Sequence, residues 1–196
     1  DGTAYAGHLT VYVGAASPFS DTKDYPWAAD PIAFLYDMGV VHGTGAGRFN
    51  PGQPITRADF VVMVARAFQL SGGSETFSDV PYGSYYYSAV AAAKSLGIVQ
   101  GYQGEFLPNT SLTRQDALVI LKRTADTLGI TLPAGRSSLS QFQDAWQVAD
   151  YARGAVEALV AAGVITGSDG RVNPKSPISR AEMAAVLYRV LLLKSK

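Results

Sequence analysis

Three stretches of the chain carry apolar residues three positions apart: Ile32, Leu35 and Met38; Val90, Ala93 and Leu96; Val156, Leu159 and Ala162. That spacing puts each set on one side of an α-helix and predicts a buried stripe. Gly39, Gly97 and Gly163 follow directly, where a left-handed helix cap favours a residue without a Cβ. A Gly- and Pro-bearing loop comes next, too irregular to extend a helix. A second helix is then predicted to start at Thr56, Thr113 or Ser179, each a hydroxyl residue followed three positions later by Asp59, Asp116 or Glu182. This is a capping box in which Asp replaces the usual Glu or Gln in two copies. Beyond it, Val61, Val64 and Phe68, then Leu118 and Leu121, then Ala184, Leu187 and Val190 again fall on one face. All six helices are expected to be amphipathic.

The helix pairs are copies of one another. Phe19-Ser20-Asp21, Phe77-Ser78-Asp79 and Phe142-Gln143-Asp144 open them, and Trp27, Tyr85 and Tyr151 stand at the start of the first helices. From that aromatic to the first Gly is twelve residues in every copy; from there to Gly43, Gly101 or Gly167 is four. From Pro51, Pro108 or Pro174 to Arg57, Arg114 or Arg180 is six, and from Arg to the acid is two. A helix pair of this length cannot bury its stripe alone. The fold class expected is therefore mainly α, with three helix-loop-helix repeats closed around a common axis as a pseudo-threefold domain. The repeats are placed at 19–68, 77–128 and 142–192, with linkers at 69–76 and 129–141. Residues 1–18 form an N-terminal arm, whose alternating His8-Leu9-Thr10-Val11-Tyr12-Val13 reads as a short strand or a packed segment.

Composition narrows the class. The 196 residues are 47% apolar but only 16% charged, below the ~25% usual for soluble proteins. Lys+Arg and Asp+Glu stand at 16 each, giving net charge zero, whereas a duplex-binding protein normally shows a basic excess. Nucleic acid is not expected as a partner. No apolar run exceeds six residues, so no membrane insertion is expected, and no basic-then-apolar signal segment leads the chain. A soluble, already processed form is expected. The absence of cysteine excludes disulfides and thiolate chemistry, which suits a cytosolic or a bacterial surface protein equally.

The informative chemistry is the Arg after each capping hydroxyl. A cation in the first turn opposes the helix dipole by roughly 0.3–1 kcal/mol. Combined with free backbone N–H groups, Arg57, Arg114 and Arg180 would make receptors for a carboxylate gripped by two guanidinium arms. The plainer reading is an internal salt bridge to Asp21, Asp79 or Asp144. Trp27, Tyr85 and Tyr151 either stack on a sugar face or staple the helix start to the core. Gly43, Gly101 and Gly167 either permit a positive-φ turn or let a ligand approach the backbone. Asp59, Asp116 and Glu182 are expected to cap their own helices, and Asp21, Asp79 and Asp144 to cap turns, with ligand contact second.

Other patterns are weak. Gly43-Thr44-Gly45-Ala46-Gly47 lacks the Lys-Ser/Thr ending of a phosphate loop. His8 and His42 have no i+4 partner for a zinc helix, so neither a metal nor a cofactor is expected. Pro81-Tyr82-Gly83-Ser84-Tyr85-Tyr86-Tyr87 is aromatic enough for part of a sugar platform, or wraps the second helix pair.

The Phe-x-Asp turn, the Trp/Tyr opening, the Gly-x-x-x-Gly loop, the loop Pro and the Thr-Arg-Ala-Glu-like helix start together resemble the S-layer homology domain family in three tandem copies. The chain departs from the pattern at Ser179 for Thr, Gln115 for Ala, Val172 for the loop aromatic, and Asp for Glu in copies one and two. The resemblance implies an extracellular protein held non-covalently on the bacterial cell wall, as S-layer proteins are. Its partner would be a pyruvylated secondary cell-wall polysaccharide, recognised through a terminal pyruvylated N-acetylmannosamine in grooves between repeats. Carried over by position, Arg57, Arg114 and Arg180 would hold the pyruvyl carboxylate. Trp27, Tyr85 and Tyr151 would lie beside the sugar, and Gly43, Gly101 and Gly167 would allow close approach. With Val172 in place of an aromatic, the third groove is the doubtful one. No catalytic residue is implied. Two other functions compete: a scaffold that meets S-layer lattice neighbours, and a wall-glycan hydrolase using an acid pair such as Asp21 and Asp59.

Overall fold

A computed structural model describes residues 17–194, so the His8–Val13 segment lies outside the described residues. The six helices are α1 (Pro26–Asp37), α2 (Arg57–Phe68), α3 (Tyr87–Ser95), α4 (Arg114–Thr127), α5 (Asp150–Ala161) and α6 (Arg180–Lys194). Among the described residues there is no strand, only isolated bridges. None of their helices is long and apolar enough to cross a membrane.

The helix signals act as their chemistry dictates. Gly39, Gly97 and Gly163 end the first helices at φ 67°, 70° and 73°. Thr56 and Thr113 cap α2 and α4, their hydroxyls accepting from the N–H of Asp59 and Asp116, and Ser179 serves Glu182 likewise. The reciprocal half of the capping box depends on side-chain length. Glu182 reaches back to the Ser179 N–H at 2.8 Å. Asp59 and Asp116, one methylene shorter, instead accept from the Thr56 and Thr113 hydroxyls at 2.9 and 2.6 Å.

A first helix does not pack on the second helix of its own repeat. Instead α3 packs on α2, α5 on α4, and α1 on α6, so each repeat leans on the one before it and the last closes onto the first. The second helices converge, α6 touching both α2 and α4. Three backbone hydrogen bonds repeat this cycle at the axis. Ile55 N–H donates to Ile178 O at 3.0 Å, Ile178 N–H to Leu112 O at 2.9 Å, and Leu112 N–H to Ile55 O at 3.1 Å. All three side chains are buried. This is the expected pseudo-threefold closure.

The expectation that every helix is amphipathic is corrected. In α2, Phe60 to Ala65 form an unbroken buried run, and in α6 Arg180, Ala181 and Met183 to Leu187 are all buried. Meeting the axis on one side and a neighbouring first helix on another leaves such a helix little free surface. The first helices, covered on one side, keep their polar faces.

Candidate functional site

Each loop between first and second helix is built the same way. It turns tightly through Ala46-Gly47, Gln103-Gly104 and Asp169-Gly170, all at positive φ, closed by the bridges Gly45–Arg48, Tyr102–Glu105 and Ser168–Arg171. A further left-handed residue follows at Asn50, Leu107 and Asn173. Here the Phe-x-Asp turns find their purpose. Asp21 accepts from the N–H groups of Phe49 and Asn50, both at 2.9 Å. Asp79 accepts from Phe106 and Leu107, both at 2.7 Å, and Asp144 from Val172 and Asn173 at 2.9 and 2.7 Å. These carboxylates do not cap their own turns, nor do they pair with the helix-start arginines. Burial alone would raise the Asp21 pKa, but the two N–H bonds and nearby Arg48 bring it below the ordinary carboxylate value.

Gly43, Gly101 and Gly167 lie against the Phe that opens each repeat. A Cβ would stand 2.7 Å from Phe19, 2.6 Å from Phe77 and 2.4 Å from Phe142, with a loop carbonyl about as close. Of the three, Gly167 alone has a positive φ. The space they free is therefore filled from inside the repeat by the Phe ring, a reason the pattern of glycines could not disclose.

The second-helix starts enter the loop of the next repeat. Arg57 and Ala58 donate their N–H groups to Thr110 O and Pro108 O, both at 2.9 Å. Arg114 and Gln115 donate to Ser176 O and Pro174 O, and Arg180 and Ala181 to Gln53 O and Pro51 O. With the third N–H taken by the capping hydroxyl, these helix mouths offer no free amide cluster. The expectation of guanidinium plus free N–H groups is corrected on this point: the neighbouring repeat already supplies the acceptors.

The guanidinium groups follow the same path, each into the next loop. Arg180 is buried, with Nε donating to Phe49 O at 2.8 Å, Nη2 to His42 O at 3.0 Å, and the group lying 4.4 Å over the Phe49 ring. Arg114 Nε donates to Val172 O at 2.8 Å, and Nη1 pairs with Glu182 at 2.7 Å. Among the described residues, this is where a helix-start arginine closes an ion pair. Val172 offers it no ring, and Glu182 has the reach that Asp lacks. Arg57 is the least committed. Nη2 donates to Gln100 O at 2.8 Å and the group lies 5.0 Å over Phe106, while Nε is buried without a partner. Burial draws the pKa of Arg57 down, the Asp116 charge opposing it; burial does the same to Arg180, against Asp59 and Asp21.

The acids complete three related seams. Asp59 Oδ1 accepts from the Tyr85 hydroxyl at 2.7 Å, and Asp116 Oδ1 from Tyr151 at 2.7 Å. Burial first, then these hydrogen bonds, push both phenols up to about 12. The rings themselves stay exposed, 68% for Tyr85 and 63% for Tyr151, as does Trp27 at 53% in the equivalent position. Thus one seam joins Arg180, Asp59 and Tyr85; a second joins Arg57, Asp116 and Tyr151; the third pairs Arg114 with Glu182, with Trp27 at the matching place. Each draws on three repeats. Beside Arg57 opens a cleft of about 200 Å³ that Asp116, Gly101, Tyr102, Phe106 and Leu107 help to line.

Sequence reasoning passed over two contributors. Gln115 is buried, donating from Nε2 to the Tyr151 hydroxyl at 2.9 Å and accepting at Oε1 from Ala149 N–H at 3.1 Å. The signal was an amide where the other copies carry Ala. Tyr102, 70% exposed at the cleft, left no such signal, since its turn position tolerates any side chain.

A closed ring of helix-loop-helix repeats, with aromatic and arginine side chains at the seams, defines a tandem-repeat module whose distinctive chemistry sits between its copies. The chain belongs to the S-layer homology domain family, whose model matches residues 18–61, 76–118 and 141–184. It is 36% identical over 195 residues to the surface-layer 125 kDa protein of Lysinibacillus sphaericus, covering 96% of this chain and 16% of that protein. It is 27% identical to the S-layer protein sap of Bacillus anthracis, covering 94% of this chain and 22% of that one. It is also 32% identical to an amylopullulanase of Thermoanaerobacterium thermosulfurigenes, over 96% of this chain and 10% of the enzyme. The chain thus spans a small part of the curated relatives it matches. Family and relatives together support cell-surface anchoring.

Proposed function

We propose that this module anchors a bacterial surface protein to the cell wall without catalysis, by binding a pyruvylated secondary cell-wall polysaccharide at its inter-repeat seams. The observation that carries this reading is the Arg57 seam. It combines a guanidinium that, among the described residues, closes no ion pair and gives Nη2 to Gln100 O, a cleft of about 200 Å³, and the exposed rings of Tyr102 and Tyr151. A pyranose needs a ring face to stack on and polar groups at its edge. A ketal carboxylate needs a cation held in place, and Arg57 is anchored by Gln100 O and Phe106. The other two arginines serve mainly to stitch repeats together, so the seams are unequal receptors, with Arg57 foremost.

The acids support the non-catalytic reading. Both oxygens of Asp21 accept backbone N–H groups, and both of Asp59 accept hydroxyls. A glycosidase pair needs one carboxyl free to protonate a leaving group and another facing the sugar.

Calorimetric titration with synthetic pyruvylated N-acetylmannosamine tests the proposal. Binding is expected to the pyruvylated sugar and not to its depyruvylated form; equal affinity for the two rejects the carboxylate mechanism. Arg57→Ala should weaken binding about 10- to 150-fold, the range for losing a hydrogen bond to a charged group. Arg114→Ala, whose donors are held by Glu182 and Val172, should change affinity far less, with circular dichroism melts confirming that both variants fold.

A further inference from the structure

At the Arg57 seam one residue has no counterpart in the other two. Gln115, the second residue of α4, stands where the matching positions carry Ala58 and Ala181. It is buried, and both ends of its amide are engaged. Oε1 accepts from the Ala149 N–H at 3.1 Å, and Nε2 donates to the Tyr151 hydroxyl at 2.9 Å. Ala149 is the N-cap of α5, and neither it nor Ala152, at the third helical position, has a side chain that could complete a capping box. An amide from the preceding repeat supplies the missing acceptor for the N-cap N–H. The same amide holds Tyr151, the second residue of that helix.

The Tyr151 hydroxyl receives from Gln115 and donates to Asp116 Oδ1 at 2.7 Å. Two bonds from adjacent residues of α4 thus fix the tilt of a ring that is otherwise open to solvent. Asp116 Oδ2 is taken by the Thr113 hydroxyl at 2.6 Å. With a hydroxyl on each oxygen, Asp116 lines the cleft beside Arg57 without closing on it, although its charge is the one that most favours the charged guanidinium. Each of the other seams lacks part of this arrangement. In the Arg180 seam Tyr85 donates to Asp59, but Ala58 has no amide to hold the phenol from its other side. In the third seam Trp27 stands in place of a phenol, and Glu182 closes on Arg114 at 2.7 Å.

We propose that Gln115 is a positioning residue for the Arg57 receptor. It locks Tyr151 against Asp116, which presents the phenol ring as a ready-made wall and keeps the carboxylate off the guanidinium, leaving Arg57 for the acid group of the ligand. The inference rests on the anchoring function proposed above and names what makes one seam its receptor. A wall ordered before the ligand arrives spares the cost of ordering it on binding, a factor of about three to ten for one side chain. Gln115, being buried, acts through Tyr151 and not by touching the ligand.

The test is a double-mutant cycle, read by calorimetric titration of the full chain with synthetic pyruvylated N-acetylmannosamine. Gln115→Met keeps the volume and removes both side-chain hydrogen bonds, and Gln115→Ala installs the residue of the other copies; thermal melts fix a temperature at which each variant is folded. Each should weaken binding about threefold to tenfold, as should Tyr151→Phe. Adding Gln115→Met to Tyr151→Phe should cost little more than Tyr151→Phe alone. Isotopic labelling of tyrosine Cζ, read by NMR, supplies a second measure. Gln115→Met should move the Tyr151 resonance, assigned by its loss in Tyr151→Phe, and leave that of Tyr102 in place. Unchanged affinity in both Gln115 variants overturns the positioning role while leaving the anchoring function intact. So do losses that multiply across the cycle, as a purely structural residue would give, and so does an unmoved Tyr151 resonance. Absence of binding by the wild-type chain overturns the anchoring function, and the role of Gln115 falls with it.

Discussion

Leu107 shows how a single residue departs from the logic of its copies. Asn50 and Asn173 stand at the two equivalent positions, each at positive φ, where Asn is tolerated because its short polar side chain bonds locally. Leu107 holds φ 60° without that help and is 40% exposed, so it gains little from burial. Leu107→Asn should therefore raise stability by about 0.5–1 kcal/mol, part of the left-handed penalty, as read from urea denaturation. An unchanged or lowered midpoint would mean that the local backbone carries no strain. Asp144 sits at the opposite extreme, 4% exposed with both oxygens occupied by loop N–H groups. Asp144→Ala leaves the buried Val172 N–H unsatisfied, while the partly exposed Asn173 N–H can turn to water, and should cost about 1–3 kcal/mol in the same measurement. The motif Phe-x-Asp was legible in the sequence, but its partner was not. The acceptor and donors are 28 and 29 residues apart, and nothing in local turn chemistry announces a bond across the whole repeat.

Between elements, the hydroxyl-to-acid bonds join α4 to α5 and bring the Tyr85 turn, which leads into α3, against α2. They carry a pH signature. A phenol raised from 10.0 to about 12 holds its proton more firmly in the folded chain than in the unfolded one. The stabilisation is complete below pH 10 and is lost as pH rises through about 12. Thermal melts should fall across that window, and a double Tyr85→Phe, Tyr151→Phe variant should show a shallower decline; an identical slope would detach the phenols from alkaline unfolding. Helix position, cap and buried stripe were all readable from spacing, because each depends on residues within one turn of one another. Which helix would pack on which was not. The apolar stripe says that a partner exists, while the choice of the preceding repeat over the same repeat is made by chain connectivity. For the same reason the arginines read as open receptors: their acceptors, such as Gln100 O and Phe49 O, belong to another copy and are backbone atoms that any residue supplies.

For the molecule as a whole, closure is the decisive property. α1 has α6 as its partner, and Ile55 N–H has Ile178 O, so the first repeat is completed only by the third. A fragment comprising residues 17–128 would expose the buried side of α1 and leave Arg114 and Gln115 N–H without Ser176 O and Pro174 O. It should lose cooperative thermal unfolding and much of its helical circular dichroism; a sharp transition in that fragment would show that two repeats suffice.

The pseudo-threefold axis has one more consequence. Seams related by rotation about it look in three different directions, so under the proposed function a single stretch of glycan lying along the module would meet one of them and turn its back on the others. Filling a second seam therefore calls for a separate strand, and a module bound twice would staple adjacent strands of the wall together. Its grip would then grow with the density of polymer around it, since the second strand is captured only where neighbours are close.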